Sequence, residues 1–242
     1  VAVVTGGTRG IGRAISLSLA EEGTVFALYA RNRQAADDLA AEAAARGLDV
    51  RCLRGDLTRE EALAESVEAI RAAAPEVHTV VHSAASGVHR PAFEITPKHL
   101  RFTLETNVVA IHALLRELVP RMPAGGRIVG LTSGGSVRTA PFYAAVGCSK
   151  GALEALFRHY AVELAPRGIT VNLVSPGLVL TGALDAFPDR EARIAAAQAA
   201  TPTGRLTTPE EVAALVRFLA SAAAAQITGQ TLVVDGAKGL PG

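Results

Sequence analysis

A short apolar run, Val1–Val4, enters the segment Thr5-Gly6-Gly7-Thr8-Arg9-Gly10-Ile11-Gly12 without a spacer, and an amphipathic helical pattern begins inside that segment. Glycine in such numbers between a strand and a helix permits a tight turn and close backbone packing, which is how a parallel β-α-β unit starts. The rest of the chain repeats the alternation. Val25–Tyr29, Val50–Leu53, Val77–His82, Arg127–Leu131, Thr170–Val174 and Thr231–Val234 read as further strands. Near-continuous apolar runs of this kind suit parallel strands covered on both faces. Helical patterns lie between them, at Ile11–Glu22, Gln34–Arg46, Arg59–Ala74, Pro97–Met122, Phe142–Ala165 and Pro209–Ala220. Thr58 with Glu61, and Thr208 with Pro209 and Glu211, carry helix-start signals. The expected fold is α/β: one doubly wound parallel sheet of about seven strands, with helices on both faces and right-handed crossovers.

With 242 residues, the chain suits one dinucleotide-binding and catalytic domain over residues 1–242, which needs no disulfide or metal to hold it. Apolar residues make up 49 % and charged residues 19 %, which excludes a disordered chain. A net charge of +1 without a dense basic run argues against nucleic acid as a partner. No apolar run is long enough for a membrane span. Cys52 and Cys148 lack metal-ligand spacing and fit free thiols in a reducing compartment, so a cytoplasmic location is expected. No leader pattern precedes Val1, which itself opens a strand, so the start reads as trimmed. The histidines show no paired-ligand pattern, so no metal is expected. Residues 175–207 interrupt the alternation with Gly177, Gly182, Pro188, Pro202 and Gly204, and Asp189–Ala200 can form short helices. An insertion near the carboxyl end of the sheet is where a substrate lid would sit.

The glycine turn lets the backbone approach a pyrophosphate resting on a helix N-terminus. Its spacing, TGxxxGxG, resembles the short-chain dehydrogenase/reductase family, and the likeness extends over essentially the whole chain. Gly6, Thr8, Arg9, Gly10, Ile11 and Gly12 form the matching loop. Asp56 and Leu57 follow the third strand, where the family places a polar group near adenine. His82-Ser83-Ala84-Ala85 stands where the family carries NNAG, a departure at all but Ala84. Asn107 matches an asparagine of the fourth helix, Pro176-Gly177 with Thr181 a PGxxxT segment near the nicotinamide carboxamide, and Val234-Asp235-Gly236 the closing strand.

Charge distinguishes between the two nicotinamide cofactors. An NAD site has a carboxylate at the end of the second strand for the ribose 2′-hydroxyl. Here that place holds Arg31, followed by Asn32 and Arg33, and Arg9 lies in the glycine loop. Guanidiniums bind a 2′-phosphate bidentately, so NADPH is the expected cofactor.

Most of the family carries Tyr-x-x-x-Lys on the fifth helix, with a serine thirteen residues before the tyrosine. Lys150 and Ser133 fit, but the tyrosine position is Val146, and Tyr143 gives Tyr-x6-Lys instead. Seven residues make almost two helical turns, so Tyr143 and Lys150 can share a face. The phenol has moved about 4.5 Å along the helix. A ketone is reduced and protonated across one bond of about 1.2 Å. An enoyl thioester takes hydride at Cβ while charge develops on the thioester oxygen, so the acid should stand farther from the nicotinamide. The displaced Tyr143 fits that geometry and would stabilise an enolate by a preorganised hydrogen bond. Lys150 would bind the nicotinamide ribose and add positive charge near the enolate. Ser133 orients water or the thioester, or is only a polar residue at a strand end.

Tyr-x6-Lys is the spacing of enoyl-acyl-carrier-protein reductases in this family. The stretches Ala84–Pro91, Gly135–Arg138, Tyr143–Lys150, Ala186–Glu191 and Thr201–Arg205 look like their counterparts in the type III enzymes. The resemblance implies NADPH-dependent reduction of a trans-2-enoyl thioester linked to acyl carrier protein or coenzyme A, in fatty acid or polyketide biosynthesis. It also implies a homotetramer packed through the fourth and fifth helices. An acidic carrier protein makes Arg190, Arg193 and Arg205 candidate contacts. Two rival readings stay open: a 3-ketoacyl-thioester or other carbonyl reductase, and a non-catalytic NADPH-binding protein.

Overall fold

The computed structural model describes residues 1–182, 184 and 189–240, so the Ala186-Phe187-Pro188 part of the resemblance lies outside the described residues. Seven strands form a single parallel sheet in the order β3-β2-β1-β4-β5-β6-β7. They are β1 (Ala2–Thr5), β2 (Val25–Tyr29), β3 (Val50–Arg54), β4 (Thr79–His82), β5 (Arg127–Leu131), β6 (Thr170–Pro176) and β7 (Thr231–Val234). The order reverses between β1 and β4, which opens a crevice at the carboxyl ends of those two strands. The register there pairs Thr5 with His82, and the next strand pair aligns His82 with Gly130.

Alternating strand residues feed two cores. Val3, Val80, Ile128, Val171 and Leu173 point to the side covered by α3 (Glu60–Ala73), α5 (Ala110–Leu118) and α6 (Ala144–Leu164). There they meet Val67, Ile70, Leu114, Leu118, Leu153 and Phe157. Val4, Val81, Val129 and Val174 point the other way, against Ile15 and Leu19 of α1 (Gly10–Ala20) and Val212, Val216 and Leu219 of α8 (Pro209–Ala220). Leu39 and Ala43 of α2 (Arg33–Ala45) pack with Leu17 and Ala27 on that same side of the sheet. Thr208 forms the expected capping box with Glu211 at the start of α8.

Three local expectations are corrected. Thr58 does not cap α3: the helix begins after Arg59, and the Thr58 N–H and hydroxyl both donate to Asp56 Oδ1. A short Asx turn outcompetes the cap because both groups lie within two residues of the carboxylate. Pro97–Met122 is not one regular helix. It comprises α4 (Pro97–Leu104), a π-helical segment at Glu105–Val109, α5 and a final 3₁₀ turn, and such a bulge leaves the apolar stripe almost unbroken in sequence. The helix expected from Phe142 begins at Ala144, because Phe142 takes φ 63°, in the left-handed region. Within the irregular stretch, α7 (Arg190–Ala199) forms and Val179 bridges Thr207.

Candidate active site

The glycine loop sits at the crevice. Gly6 adopts φ 64°, and a Cβ there would lie 2.7 Å from Ala84 Cα, so the β1 loop and the β4 exit touch backbone to backbone. Thr181 closes over the same loop, within 3.2 Å of where a Gly10 side chain would begin. Arg9 occupies the N-cap position of α1 without a side-chain hydrogen bond to the first turn. That helix end therefore has backbone donors and a positive dipole directed into a glycine-lined cradle, which fits a dinucleotide pyrophosphate.

Arg9 and Arg31 are exposed, and Arg31 bears electrostatically on Asp56. Asp56 is held below the usual carboxylate range, first by its bond from Thr58 and also by the charges of Arg31 and Arg59. Asn32 accepts from the Ala35 N–H, so its side-chain oxygen caps α2. Arg54, which closes β3 beside Tyr29 in register, adds a further guanidinium near that end of the sheet. It was not among the sequence candidates because its strand-end position follows only from the β2–β3 pairing.

Across the crevice, β5 leads into Thr132 and Ser133. Ser133 Oγ accepts from the Gly135 N–H at 3.2 Å, which starts a 3₁₀ turn at Gly134–Ser136. The Tyr143 ring packs on Gly135, and the ring of His89 stands 6.0 Å away, centroid to centroid. Burial raises the Tyr143 phenol above its ordinary range, and the Ser133 hydroxyl acts against that effect. Tyr143 is therefore a proton-bearing donor at neutral pH, with Ser133 beside it. Ser133 shapes the turn on which the phenol packs. Val146, at the family's usual tyrosine position, is buried and packs onto Gly87 and the loop after β4.

Lys150 is buried one face along α6 and donates to the Leu131 carbonyl at 2.7 Å. Burial lowers its ammonium to about 8. Asn107 sits fully buried in the π-helical segment: its Oδ1 accepts from the Ser86 N–H, its Nδ2 donates to Ser149 Oγ, and its carbonyl accepts from His82 Nε2 at 3.1 Å. A carbonyl only accepts, so His82 carries its proton on Nε2. Its Nδ1 then accepts from the Thr5 hydroxyl at 2.8 Å, and Thr5 Oγ1 in turn accepts from the Ala84 N–H. Burial, with Lys150 nearby, pushes His82 down to about 3, so the ring is neutral. This chain of bonds links the glycine loop, the β4 exit and the π segment, so Asn107 acts as a hub whose side chain is spent on protein contacts.

A family profile described as Enoyl-(Acyl carrier protein) reductase matches residues 6–237. The chain belongs to the short-chain dehydrogenase/reductase family. Within it, the chain is similar to 1-cyclohexenylcarbonyl-CoA reductase of Streptomyces collinus, 35% identical over 98% of this chain and 85% of that protein. It is also similar to carbonyl reductase family member 4 of Danio rerio, 36% identical over 98% and 96% of the two chains. A short-chain dehydrogenase from Burkholderia cenocepacia, solved in complex with NADP, superposes with a TM-score of 0.88 at 30% identity, covering 99% of this chain and 97% of that one.

The protein is thus an oxidoreductase of a family that binds nicotinamide cofactors, with the sheet and crossovers that the short-chain dehydrogenase/reductases share. No described helix is long and apolar enough to cross a membrane. Ser133 lies at the β5 exit, Tyr143 at the start of α6 and Lys150 within it. Asn107 ties that helix to the β4 exit through Ser149 and Ser86, and the glycine loop meets Ala84 at Gly6 and Thr181 at Gly10. Pro176 and Gly177 lie at the β6 exit, where the Gly177 N–H donates to the Val234 carbonyl. Arg205 is engaged: its guanidinium pairs with Glu211, so it is an intramolecular contact here.

Proposed function

We propose that this chain reduces the carbon–carbon double bond of a trans-2-enoyl thioester with NADPH. The observation that carries this reading is the position of Tyr143: the phenol stands at the start of α6, two turns before Lys150, while Val146 fills the usual place as buried packing. A donor that far from the lysine suits an oxygen two carbons removed from the carbon that accepts hydride. Similarity to a reductase named for a CoA-linked cyclohexenyl substrate supports the same reading.

When bound, the dihydronicotinamide supplies the hydride. Tyr143 holds its proton and hydrogen-bonds the thioester oxygen as negative charge develops there. Such preorganised donors lower a barrier because they need no reorientation when charge appears. Ser133 supports the phenol from its 3₁₀ turn and can bond the same oxygen. Lys150 positions the ribose and contributes a positive charge at neutral pH. Protonation at Cα then follows from solvent. We place Gly6, Thr8, Arg9, Gly10, Ile11 and Gly12 on the pyrophosphate, Asp56 and Leu57 near adenine, Ser83, Ala84 and Ala85 along the ribose and nicotinamide, and Pro176, Gly177 and Thr181 at the carboxamide. We assign residues 175–207 to the lid, of which 183 and 185–188 lie outside the described residues. A cytoplasmic homotetramer of single-domain chains completes the reading.

The test follows NADPH absorbance with a trans-2-enoyl thioester and the matching 3-ketoacyl thioester in parallel. Oxidation with the enoyl substrate alone is the expected result. Activity confined to the ketoacyl substrate, in line with the similarity to a carbonyl reductase, would replace the enoyl assignment.

Cofactor choice has its own test. Arg31 and Arg9 are assigned to the 2′-phosphate, with Asn32 holding the turn that carries Arg31. Arg31→Ala is expected to weaken NADPH by about tenfold to a hundredfold, the worth of one or two charge-assisted bonds, and to leave NADH affinity nearly unchanged. Equal losses for both cofactors, measured by fluorescence titration, would remove Arg31 from the phosphate site.

A further inference from the structure

α6 carries a buried carboxylate that the chemistry above does not use. Glu154 is 8 % exposed and lies one helical turn beyond Lys150, on the same face of the helix. Its Oε1 accepts from the Thr132 hydroxyl at 2.6 Å. Thr132 directly follows β5 and directly precedes Ser133, so the bond joins the strand exit that carries Ser133 to the helix that carries Tyr143 and Lys150. A carboxylate withdrawn from water is costly unless an opposite charge and hydrogen bonds offset the loss of hydration.

We propose that Glu154, held in place by Thr132, is the counter-charge that keeps Lys150 in its ammonium form, and so is a positioning residue of the reactive centre. The proposal rests on the assignment of Lys150 to that centre. Among the described residues, the neighbouring polar groups at the carboxyl ends of β4 and β5 and at the start of α6 are neutral at working pH. From β4 comes His82, buried with its single proton committed to the Asn107 carbonyl. From the start of α6 comes Tyr143, which burial keeps protonated. β5 and its exit present the Leu131 carbonyl and the hydroxyls of Thr132 and Ser133, and the π segment presents the Asn107 amide. Glu154 opposes the effect of burial on Lys150, in the direction that favours the charged amine. Charges at i and i+4 in a poorly solvated helix face interact strongly enough to move a titration by on the order of one pH unit.

The chain has only three lysines, Lys98, Lys150 and Lys238, which makes a direct measurement simple. The full-length protein is prepared with [13Cε]lysine and its three resonances are followed from pH 6 to 11, with Lys150→Ala identifying the one of interest. In wild type, Lys150 is expected to titrate near 8. In Glu154→Gln, which keeps an oxygen for Thr132 but removes the charge, the midpoint should fall by about one pH unit. Should the glutamine variant fail to fold, Glu154→Met fills the same space with apolar atoms and should give the same fall. A Glu154 that is only structural would lower Tm and leave the Lys150 midpoint in place, and that result overturns the proposal. The readout needs no substrate. A protein that reduces no enoyl thioester sinks the functional reading and leaves the lysine titration to stand or fall by itself.

Discussion

Replacing Tyr143 by phenylalanine is expected to lower kcat for an enoyl thioester by about a hundredfold to a thousandfold, the usual effect of removing one preorganised donor to a developing oxyanion. The substitution deletes one hydroxyl and keeps the ring that packs on Gly135 and stands beside His89. Tm and NADPH affinity should therefore stay close to wild type. The split matters more than the size of the loss. A donor that acts only as charge develops lowers kcat and kcat/KM together, whereas a ground-state contact raises KM alone. Steady-state kinetics with thermal melts decide between them. A kcat within a fewfold of wild type would show that another group donates to the thioester oxygen, and Ser133, which bears on the phenol, would be the next residue to vary.

Acidification provides a second large effect, through His82. Its folded-state value lies near 3 and its ordinary value at 6.5. Between those limits the unfolded chain takes up a proton that the folded chain refuses. Stability from this residue is therefore fully present above about pH 6.5 and is lost progressively as pH falls toward 3. The whole window corresponds to roughly 4–5 kcal/mol, of which about 2 kcal/mol falls between pH 6.5 and 5, before most carboxylates protonate. His89 is also held low, chiefly by burial, and adds in the same direction. It is common to both proteins in the comparison that isolates His82. Urea melts of wild type and His82→Asn across pH 7 to 5 should show a clear loss for wild type and a much shallower one for the variant. Parallel slopes would mean that His82 reaches water or gains its proton in the folded state. The variant also loses the bridge from Thr5 to the Asn107 carbonyl, so its absolute stability at pH 7 is expected to be lower.

Most of the architecture was legible in the sequence because parallel strands are apolar on both sides. Val80, Val81, Ile128 and Val129 announce a buried strand whichever face is considered, and Thr231–Val234 was bounded to the residue. Thr208 was readable as a cap because its partners lie within three residues. Features that depend on distant pairing were not. His82 bonds Thr5 and Asn107 at separations of 77 and 25 residues, and Glu154 reaches Thr132 across 22. The π segment at Glu105–Val109 left no trace in the apolar stripe, and nothing in the composition of Phe142 signals a left-handed backbone. The same limits apply to the site. Glycine spacing and the Tyr143–Lys150 interval are local and visible. The link between the phenol and Ser133, the engagement of Arg205 by Glu211 and the strand-end position of Arg54 emerge only when the chain is folded.

The packing of Val146 on Gly87 also bears on how this chain could change over generations. Val146 already lies against Gly87 of the loop that follows β4, so a tyrosine at 146 is expected to crowd that loop. Losing Tyr143 first leaves no phenol at the helix start, and gaining one at 146 first crowds the pocket. On the proposed reading, in which Tyr143 is the donor, either order passes through an impaired ancestor, so the present arrangement would be protected by a fitness valley.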